Sequence, residues 1–151
     1  MKIMLEVSNQ LKHVVAKSKQ DFADFSDENA ALPAIAGGWS RKQLLGHLID
    51  SASNNHQRFV RALLQDELRF PGYDQSGSVD AERYQELPWN ELTSLWANYN
   101  LFLAHILAGV PESKLSTPCF IGENPPMTLE ELAVDYVRHM QHHLDQIKSR
   151  I

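Results

Sequence analysis

The sequence has little of three features that mark particular classes of protein. It contains one cysteine, Cys119, so an internal disulfide is excluded, which agrees with a reducing cytoplasm. It has no apolar run of about 18 residues, so we expect no membrane-spanning helix. Its net charge is −5, and a nucleic-acid partner would call for a basic surface instead. We therefore expect neither a membrane nor a nucleic acid as a partner.

Several familiar sequence signals are also missing. Residues 1–7 lack the apolar core and cleavage site of a secretory signal, so we expect a cytoplasmic protein. There are no paired catalytic carboxylates and no nucleophile elbow, and Gly37 and Gly38 do not belong to a phosphate-binding motif. The composition is ordinary, with 43% hydrophobic and 22% charged residues over 151 residues. This length predicts a single domain, residues 1–151, with a substantial core.

Four stretches carry apolar residues at the spacing of an amphipathic helix. They cover residues 3–25, about 41–66, about 88–109, and the region that follows Thr128. Ser40 with Gln43, and Thr128 with Glu131, form two capping boxes that mark helix starts. Pro88 suits the first turn of the third helix. The pattern predicts an all-α protein, a four-helix bundle.

The segments between these helices are rich in proline, glycine and polar residues, and we interpret them as loops. They cover residues 26–38, 67–87 and 109–127, with a short helical turn expected around residues 79–86. Their length permits long crossover connections, so a simple up-down-up-down order does not follow. The second helix has a wider apolar face than one bundle core requires, which indicates deep burial or a dimer contact. The extra positions are Leu45, Ile49, Val60 and Leu64.

Histidines are the informative feature of this sequence. His139 and His143 stand four residues apart, so their rings project from one face of the last helix, about 6 Å apart along its axis. His47 lies at the border of the apolar stripe of the second helix. Three imidazoles are a common ligand set for a catalytic metal and leave a position open for water or substrate. We hypothesise that these three side chains converge on one divalent metal ion.

An alternative stays open, in which these are core-border histidines that hydrogen-bond to neighbours. In the metal hypothesis, His47 is about two turns into its helix and His139 about three turns into its own. If His47 and His139 lie at the same height in the bundle, their two helices are predicted to run parallel. The other histidines are predicted to lie on polar or opposite helix faces: His13, His56, His105 and His142.

Other polar residues near the predicted site have two interpretations each. Asp135, one turn before His139, is either an acceptor that orients the histidine ring or a solvated carboxylate, and we prefer the second. Cys119 is either a reactive thiol or a buried inert one, and the absence of a neighbouring base favours the inert thiol. Three residues of the second helix either line a pocket beneath His47 or form a solvated helix face: Ser51, Asn54 and Arg58.

Two segments resemble the DinB/YfiT-like superfamily. The first is GWSRKQLLGHLID at residues 38–50, and the second is the later pattern His-x-x-x-His-Leu-x-Gln-Ile that begins at His139. The resemblance implies a four-helix bundle with crossover topology, often a homodimer. It also implies a three-histidine site for zinc or nickel at His47, His139 and His143. Some relatives are thiol S-transferases that use bacillithiol, mycothiol or glutathione, and one branch is a mycothiol-dependent maleylpyruvate isomerase.

Our leading hypothesis is a metal-dependent thiol S-transferase that acts on a small-molecule substrate. Its cofactors would be a divalent metal, most readily zinc or nickel, and a low-molecular-weight thiol. Two alternatives stay open: a metal-dependent hydrolase, in which the metal activates water, and a metal-binding dimeric module without catalysis.

Overall fold

The structure, a computed structural model, describes residues 2–34 and 37–149 of the chain. Four long helices lie within three residues of the predicted bounds, and the prediction of a helical bundle is confirmed. In the described part of the chain, no helix is long and apolar enough to cross a membrane. The helices are α1 (Lys2–Phe22), α2 (Asp27–Ala30), α3 (Arg41–Leu64), α4 (Gln75–Glu82), α5 (Trp89–Ala108) and α6 (Leu129–Ser149).

The helix starts follow the predicted capping signals with two differences. At Ser40 the capping box is complete, since the hydroxyl accepts the N–H of Gln43 and the Gln43 amide oxygen accepts the N–H of Ser40. Thr128 accepts the N–H of Glu131, but its hydroxyl, and not its backbone N–H, donates to the Glu131 carboxylate. Pro88 is the residue that precedes α5 and does not lie in its first turn.

The four long helices pack in the cyclic order α1, α5, α3, α6. Arg41 donates from Nε to the carbonyl of Ile147 at 2.7 Å, which places the start of α3 against the end of α6. These two helices are therefore antiparallel, and the prediction that they run parallel is wrong. The error came from counting both helices from their starts. His47 is the seventh residue of α3 and His143 the seventh from the end of α6, so their heights coincide only when the helices are antiparallel.

The remaining contacts give the direction of each helix. Asp27 of α2 accepts the N–H of Trp89 at 2.7 Å and pairs with Lys42 at 2.9 Å, so α3 and α5 begin side by side and run parallel. The indole N–H of Trp89 donates to the carbonyl of Phe22, the last residue of α1, so α1 and α5 are antiparallel. In chain order, the long helices α1, α3, α5 and α6 thus run up, down, down and up, and long crossover connections join them, as predicted.

A small three-stranded sheet was not predicted. Strands β1 (Leu68–Phe70) and β2 (Pro118–Ile121) lie inside segments interpreted as loops, and β3 (Met127–Thr128) joins the end of the second of these segments to the predicted helix cap. Strand β2 is central, parallel to β1 and antiparallel to β3. Strands of two to four residues are too short to show an alternating pattern, and pairing between distant segments leaves no local signal. The sheet joins the two long connections beside α3 and α6.

Helix α3 is the most enclosed helix over its first half. Every residue from Leu44 to Ala52 is buried, including Leu45 and Ile49 of the wide apolar face. Deep burial therefore accounts for this half of the face. At the other end Leu64 is 78% exposed and Val60 is half-buried. The buried half is the part that carries His47.

Candidate metal centre

His47, His139 and His143 meet between α3 and α6. One ring nitrogen from each of them lies within 4.8 Å of the other two. The ring centroids are 4.6 Å apart for His139 and His143, 4.7 Å for His47 and His143, and 5.4 Å for His47 and His139. The antiparallel packing of the two helices brings His47 beside two residues that lie 92 and 96 positions later in the sequence.

His47 is held rigidly in the helix interface. Its side chain is 1% exposed, and within the described part of the chain its buried Nδ1 atom has no hydrogen-bond partner. Trp39 immediately precedes the Ser40 cap, and the centroid of its ring lies 5.2 Å from the centroid of the His47 imidazole. A buried polar atom without a partner is unfavourable unless a ligand satisfies it. This unsatisfied nitrogen is the first sign that the site is built to hold something.

His143 has its ring orientation and tautomer determined by a neighbour one turn away. The amide oxygen of Gln146 lies 2.8 Å from Nδ1 of His143 and can only accept, so the proton is on Nδ1. Nε2 then carries the lone pair, and it lies 3.1 Å from Nε2 of His139. Such hydrogen bonding to the distal nitrogen is typical of metal-binding histidines.

Burial keeps all three imidazoles neutral at physiological pH. Burial, then the nearby His143 and His139, lowers the pKa of His47 from 6.5 to about 4. Burial also lowers the pKa of His139 and of His143, although Asp135 partly opposes this for His139 and Gln146 for His143. Neutral imidazole is the form that coordinates a metal.

The donor set fits a divalent transition metal. Tetrahedral coordination with metal–nitrogen bonds of about 2.1 Å requires ligand nitrogens roughly 3.4 Å apart. The 3.1 Å between the His139 and His143 nitrogens is close to this value, and the three nitrogens lie within 4.8 Å of one another. Two facing ring nitrogens at 3.1 Å also require a proton or a cation between them.

The other histidines lie outside the centre, as predicted. His56 pairs through Nδ1 with the Tyr99 hydroxyl at 2.9 Å, on the α5 side of α3. His13 and His105 are exposed. His142 is exposed, although its ring centroid is 5.1 Å from that of His143.

Asp135 does not orient the His139 ring by any hydrogen bond among the described residues. Its carboxylate pairs with Arg138, with N–O distances of 2.7 and 2.8 Å. It is half-buried at the edge of a cleft, and not fully solvated. The contacts therefore do not support the interpretation as an acceptor for His139, and the preferred interpretation as a solvated carboxylate holds only in part, since Asp135 is 41% exposed and paired with Arg138.

A cleft of about 330 Å³ opens beside His139. Ser51 and Arg58 of α3 line it, so two of the three residues proposed for a pocket are placed there. Asn54 does not line the cleft, and its amide donates to the carbonyl of Asp50, whereas the next residue, Asn55, does line it. The other lining residues come from the β1–α4 connection and the start of α4, from the end of β2 and the β2–β3 connection, and from α6: Gly72, Tyr73, Gln75, Ile121, Asn124, Leu132, Asp135, Tyr136 and His139.

Cys119 is fully buried in β2, and its thiol lies 3.5 Å from the Thr117 carbonyl. Burial raises the pKa of this thiol to about 11, and nearby Arg58 only partly opposes the shift. A thiol at such a pKa stays protonated and unreactive. The interpretation of Cys119 as an inert buried thiol agrees with this environment.

A buried polar contact behind His47 was missed. Asp50, one turn after His47, is 4% exposed and accepts the Tyr84 hydroxyl at 2.7 Å. Burial, then a hydrogen bond with Glu82, raises the pKa of Asp50 to about 7, while Tyr84 opposes the shift. Nothing local in the sequence pairs residue 50 with residue 84. Gln146 was also missed, but its position three residues after His143 is a signal that could have identified it.

Comparison with known proteins finds relatives that are named as candidate metal-dependent hydrolases. YfiT of Bacillus subtilis, a candidate metal-dependent hydrolase by its name, is 26% identical over 139 residues, which cover 91% of this chain and 78% of YfiT. A protein of Geobacillus thermodenitrificans with the same kind of name is 27% identical over 128 residues, covering 84% of this chain and 72% of that protein.

Solved structures share the fold. The structure of Bacillus subtilis YfiT, described as having an unusual four-helix bundle topology, superposes with a TM-score of 0.80 at 24% identity, covering 95% of this chain and 81% of YfiT. A variant of the mycothiol-dependent maleylpyruvate isomerase superposes with a TM-score of 0.77 at 14% identity, covering 97% of this chain and 61% of the isomerase. The family model of the DinB superfamily matches residues 10–147. With this match over nearly its whole length, the chain belongs to the DinB superfamily.

Proposed function

We propose that this protein is a metal-dependent enzyme in which His47, His139 and His143 hold a divalent metal, zinc or nickel. The reaction we propose is the transfer of a low-molecular-weight thiol to an electrophilic small molecule. One observation carries the proposal: three neutral imidazoles, each with a nitrogen within 4.8 Å of the others, lie beside a cleft of about 330 Å³.

Each part of the site has a role in this proposal. The three imidazoles contribute no negative charge, so the charge of a bound cation is not neutralised by its ligands. A divalent metal supplies Lewis acidity, which lowers the pKa of a thiol or a water molecule that it binds. Gln146 holds the His143 ring in the correct tautomer, and Trp39 shields the buried side of His47. The cleft beside His139 offers space for the electrophile.

The carboxylates of the cleft bear on which kind of hydrolysis the site could support. Among the described residues that line it, Asp135 is the only carboxylate, and Arg138 already pairs with it. Metal-dependent peptide hydrolysis of the His-Glu-x-x-His type uses a free glutamate as general base. A thiol or a water molecule bound to a metal needs no such base when the metal lowers its pKa, so the cleft counts only against hydrolysis of that type.

Hydrolysis is the second candidate function, because the curated relatives described above are named as candidate metal-dependent hydrolases. Both functions use a small-molecule substrate and the same three histidines. The third possibility from the sequence, a metal-binding module without catalysis, also uses them. The homodimer implied by the family resemblance stays a prediction, which measurement of the solution mass can test.

A matched pair of variants tests the site. His143 lies in the centre, whereas the adjacent His142 is exposed on the same turn of α6. We expect untagged protein to contain about one metal per chain, His143→Ala to lose it and His142→Ala to keep it. Equal metal content in both variants would contradict the site.

Turnover then separates the three functions. The metal-loaded protein is assayed with bacillithiol, mycothiol or glutathione and a model electrophile such as chlorodinitrobenzene, and separately with nitrophenyl esters without thiol. Conjugation that His143→Ala abolishes supports thiol transfer. Ester cleavage alone supports hydrolysis, and bound metal without either activity supports the non-catalytic module.

A further inference from the structure

Arg58 is a cation of the cleft that the proposed metal chemistry does not use. It lies on α3 and lines the cleft together with Tyr73 and His139. Its guanidinium carbon is 5.4 Å from the centre of the Phe70 ring, and its buried Nε has no hydrogen-bond partner among the described residues. No carboxylate among the described residues forms an ion pair with it. A guanidinium that lines a cleft without an ion-pair partner among the described residues is available to an anionic ligand.

The charges around Arg58 leave it available to an anion. Asp135, the carboxylate of the cleft, is paired with Arg138 on the outer surface of α6. The other groups that act on the Arg58 charge are the Tyr73 hydroxyl and the Cys119 thiol, both neutral at pH 7, and burial lowers the pKa of Arg58 itself. Arginine remains charged in proteins, so the guanidinium faces the cleft as a fixed positive charge.

The position of Arg58 on α3 determines how far its guanidinium lies from the three histidines. Arg58 follows His47 by eleven residues on the same helix, or about 16 Å along the axis. The side chains of Ser51 and Arg58 share the His47 face of the helix, since their spacing is four and seven residues. An arginine side chain reaches back toward the start of its helix, which reduces the separation from the histidines to roughly 10 Å.

We propose that the cleft binds a substrate that carries a carboxylate, with the carboxylate on the Arg58 guanidinium and the reacting group beside His139. This placement rests on the proposed function, because the reacting end is assigned to the three-histidine centre. The fork of N–H donors on Arg58 matches the two oxygens of a carboxylate. Arg58 thereby determines substrate class without taking part in the chemistry.

The test uses glutarate as the anion and uncharged glutaramide as its matched analogue. Binding is followed by calorimetry and by the NMR signal of the Arg58 Nε–H group, with the full-length protein. We expect glutarate to bind saturably and shift this signal, and glutaramide to leave it unchanged. Arg58→Gln should weaken glutarate binding by about tenfold or more, and Arg58→Lys should restore only part of it, since lysine keeps the charge without the fork.

Arg61 provides the control variant. It lies on the same helix and approaches the same Phe70 ring, at 5.7 Å, but it is exposed and does not line the cleft. We expect Arg61→Gln to bind glutarate like the wild type. Equal glutarate affinity in Arg58→Gln and Arg61→Gln, or binding of glutaramide as strong as that of glutarate, would overturn the proposal.

A further arm separates this inference from the proposed function. We expect His143→Ala to bind glutarate in an Arg58-dependent way even without metal, because the anion site lies on the far side of the cleft. If metal or turnover is absent but this binding persists, the proposed function fails and the carboxylate site stands. If turnover is normal and Arg58→Gln changes neither glutarate binding nor the preference for anionic substrates, the carboxylate site fails alone.

Discussion

Gly46 is the position where the structure predicts the sharpest effect of a single methyl group. A Cβ atom at residue 46 would lie 2.1 Å from Cδ2 of Tyr84, 2.3 Å from Cγ and 2.8 Å from Cε2. The Tyr84 ring therefore packs directly on the α3 backbone, one residue before His47. Its hydroxyl donates to the carboxylate of Asp50, which is 4% exposed. Alanine at position 46 must displace the ring and break this contact.

The expected change in the free energy of unfolding combines one stabilising and two destabilising contributions. Alanine stabilises a helix interior by about 1 kcal/mol relative to glycine. Overpacking of a dense core costs about 1–3 kcal/mol, and loss of the hydrogen bond to a buried carboxylate about 1–3 kcal/mol more. We expect Gly46→Ala to lower the free energy of unfolding by about 3 kcal/mol, which for a chain of this size lowers the melting temperature by roughly 6–12 °C.

A double-mutant cycle with Tyr84→Ala tests the explanation. Without the Tyr84 ring the clash disappears, so Gly46→Ala should be neutral or slightly stabilising in that background. The measurement is chemical denaturation of all four proteins, with the slope compared to confirm two-state unfolding. Gly46→Ala that stabilises the wild type, or that costs the same with and without the Tyr84 ring, would refute the reasoning.

Two further predictions concern the histidine centre. In metal-free protein, a folded-state His47 pKa of about 4 against 6.5 in the unfolded chain means that its contribution to stability is complete above pH 6.5 and is lost as the pH falls toward 4. This loss amounts to about 3 kcal/mol. Urea denaturation at several pH values should show this loss of stability in the wild type and not in His47→Gln. If the free energy of unfolding changes with pH in the same way in both proteins, the prediction is wrong. The raised pKa of Asp50 gives the free energy of unfolding the opposite pH dependence. Asp50 is present in both proteins, so its contribution cancels when His47→Gln is compared with the wild type. Gln146→Leu removes the acceptor for Nδ1 of His143 and should weaken metal binding about 10- to 100-fold in competition with a chelator, whereas Gln146→Glu should retain it. Unchanged affinity in Gln146→Leu would show that this hydrogen bond does not support the ligand.

Helix boundaries were predictable because their causes are local. The capping box at Ser40 and the spacing of apolar residues depend on neighbours within about four positions, and α3 begins where these signals place it. The short sheet was not predictable, because Leu68 and Cys119 are partners from distant segments and neither strand is long enough to show alternation. Chain direction also failed at the sequence level, since two ligand positions do not reveal from which end of each helix they should be counted.

The candidate site divides in the same way. The spacing of His139 and His143 is enough to identify a chelating pair from the sequence. The position of His47 at the border of the apolar stripe supplies the third candidate, which the family resemblance then supports. Which side chains complete the site is a different question. The partner of Asp50, the orientation of the Trp39 ring and the unpaired state of Arg58 depend on packing between elements, and sequence separation carries no information about them.

Periodicity and capping by themselves determined that this chain forms four long helices and which histidines face inward, because hydrogen bonds and burial within a helix repeat every few residues. Only the tertiary structure decided that α3 and α6 run antiparallel, that three imidazole nitrogens meet, and that a cleft with an unpaired arginine opens beside them. Those features depend on how helix surfaces fit together, and the burial of each surface is a property of the whole fold and of no single segment.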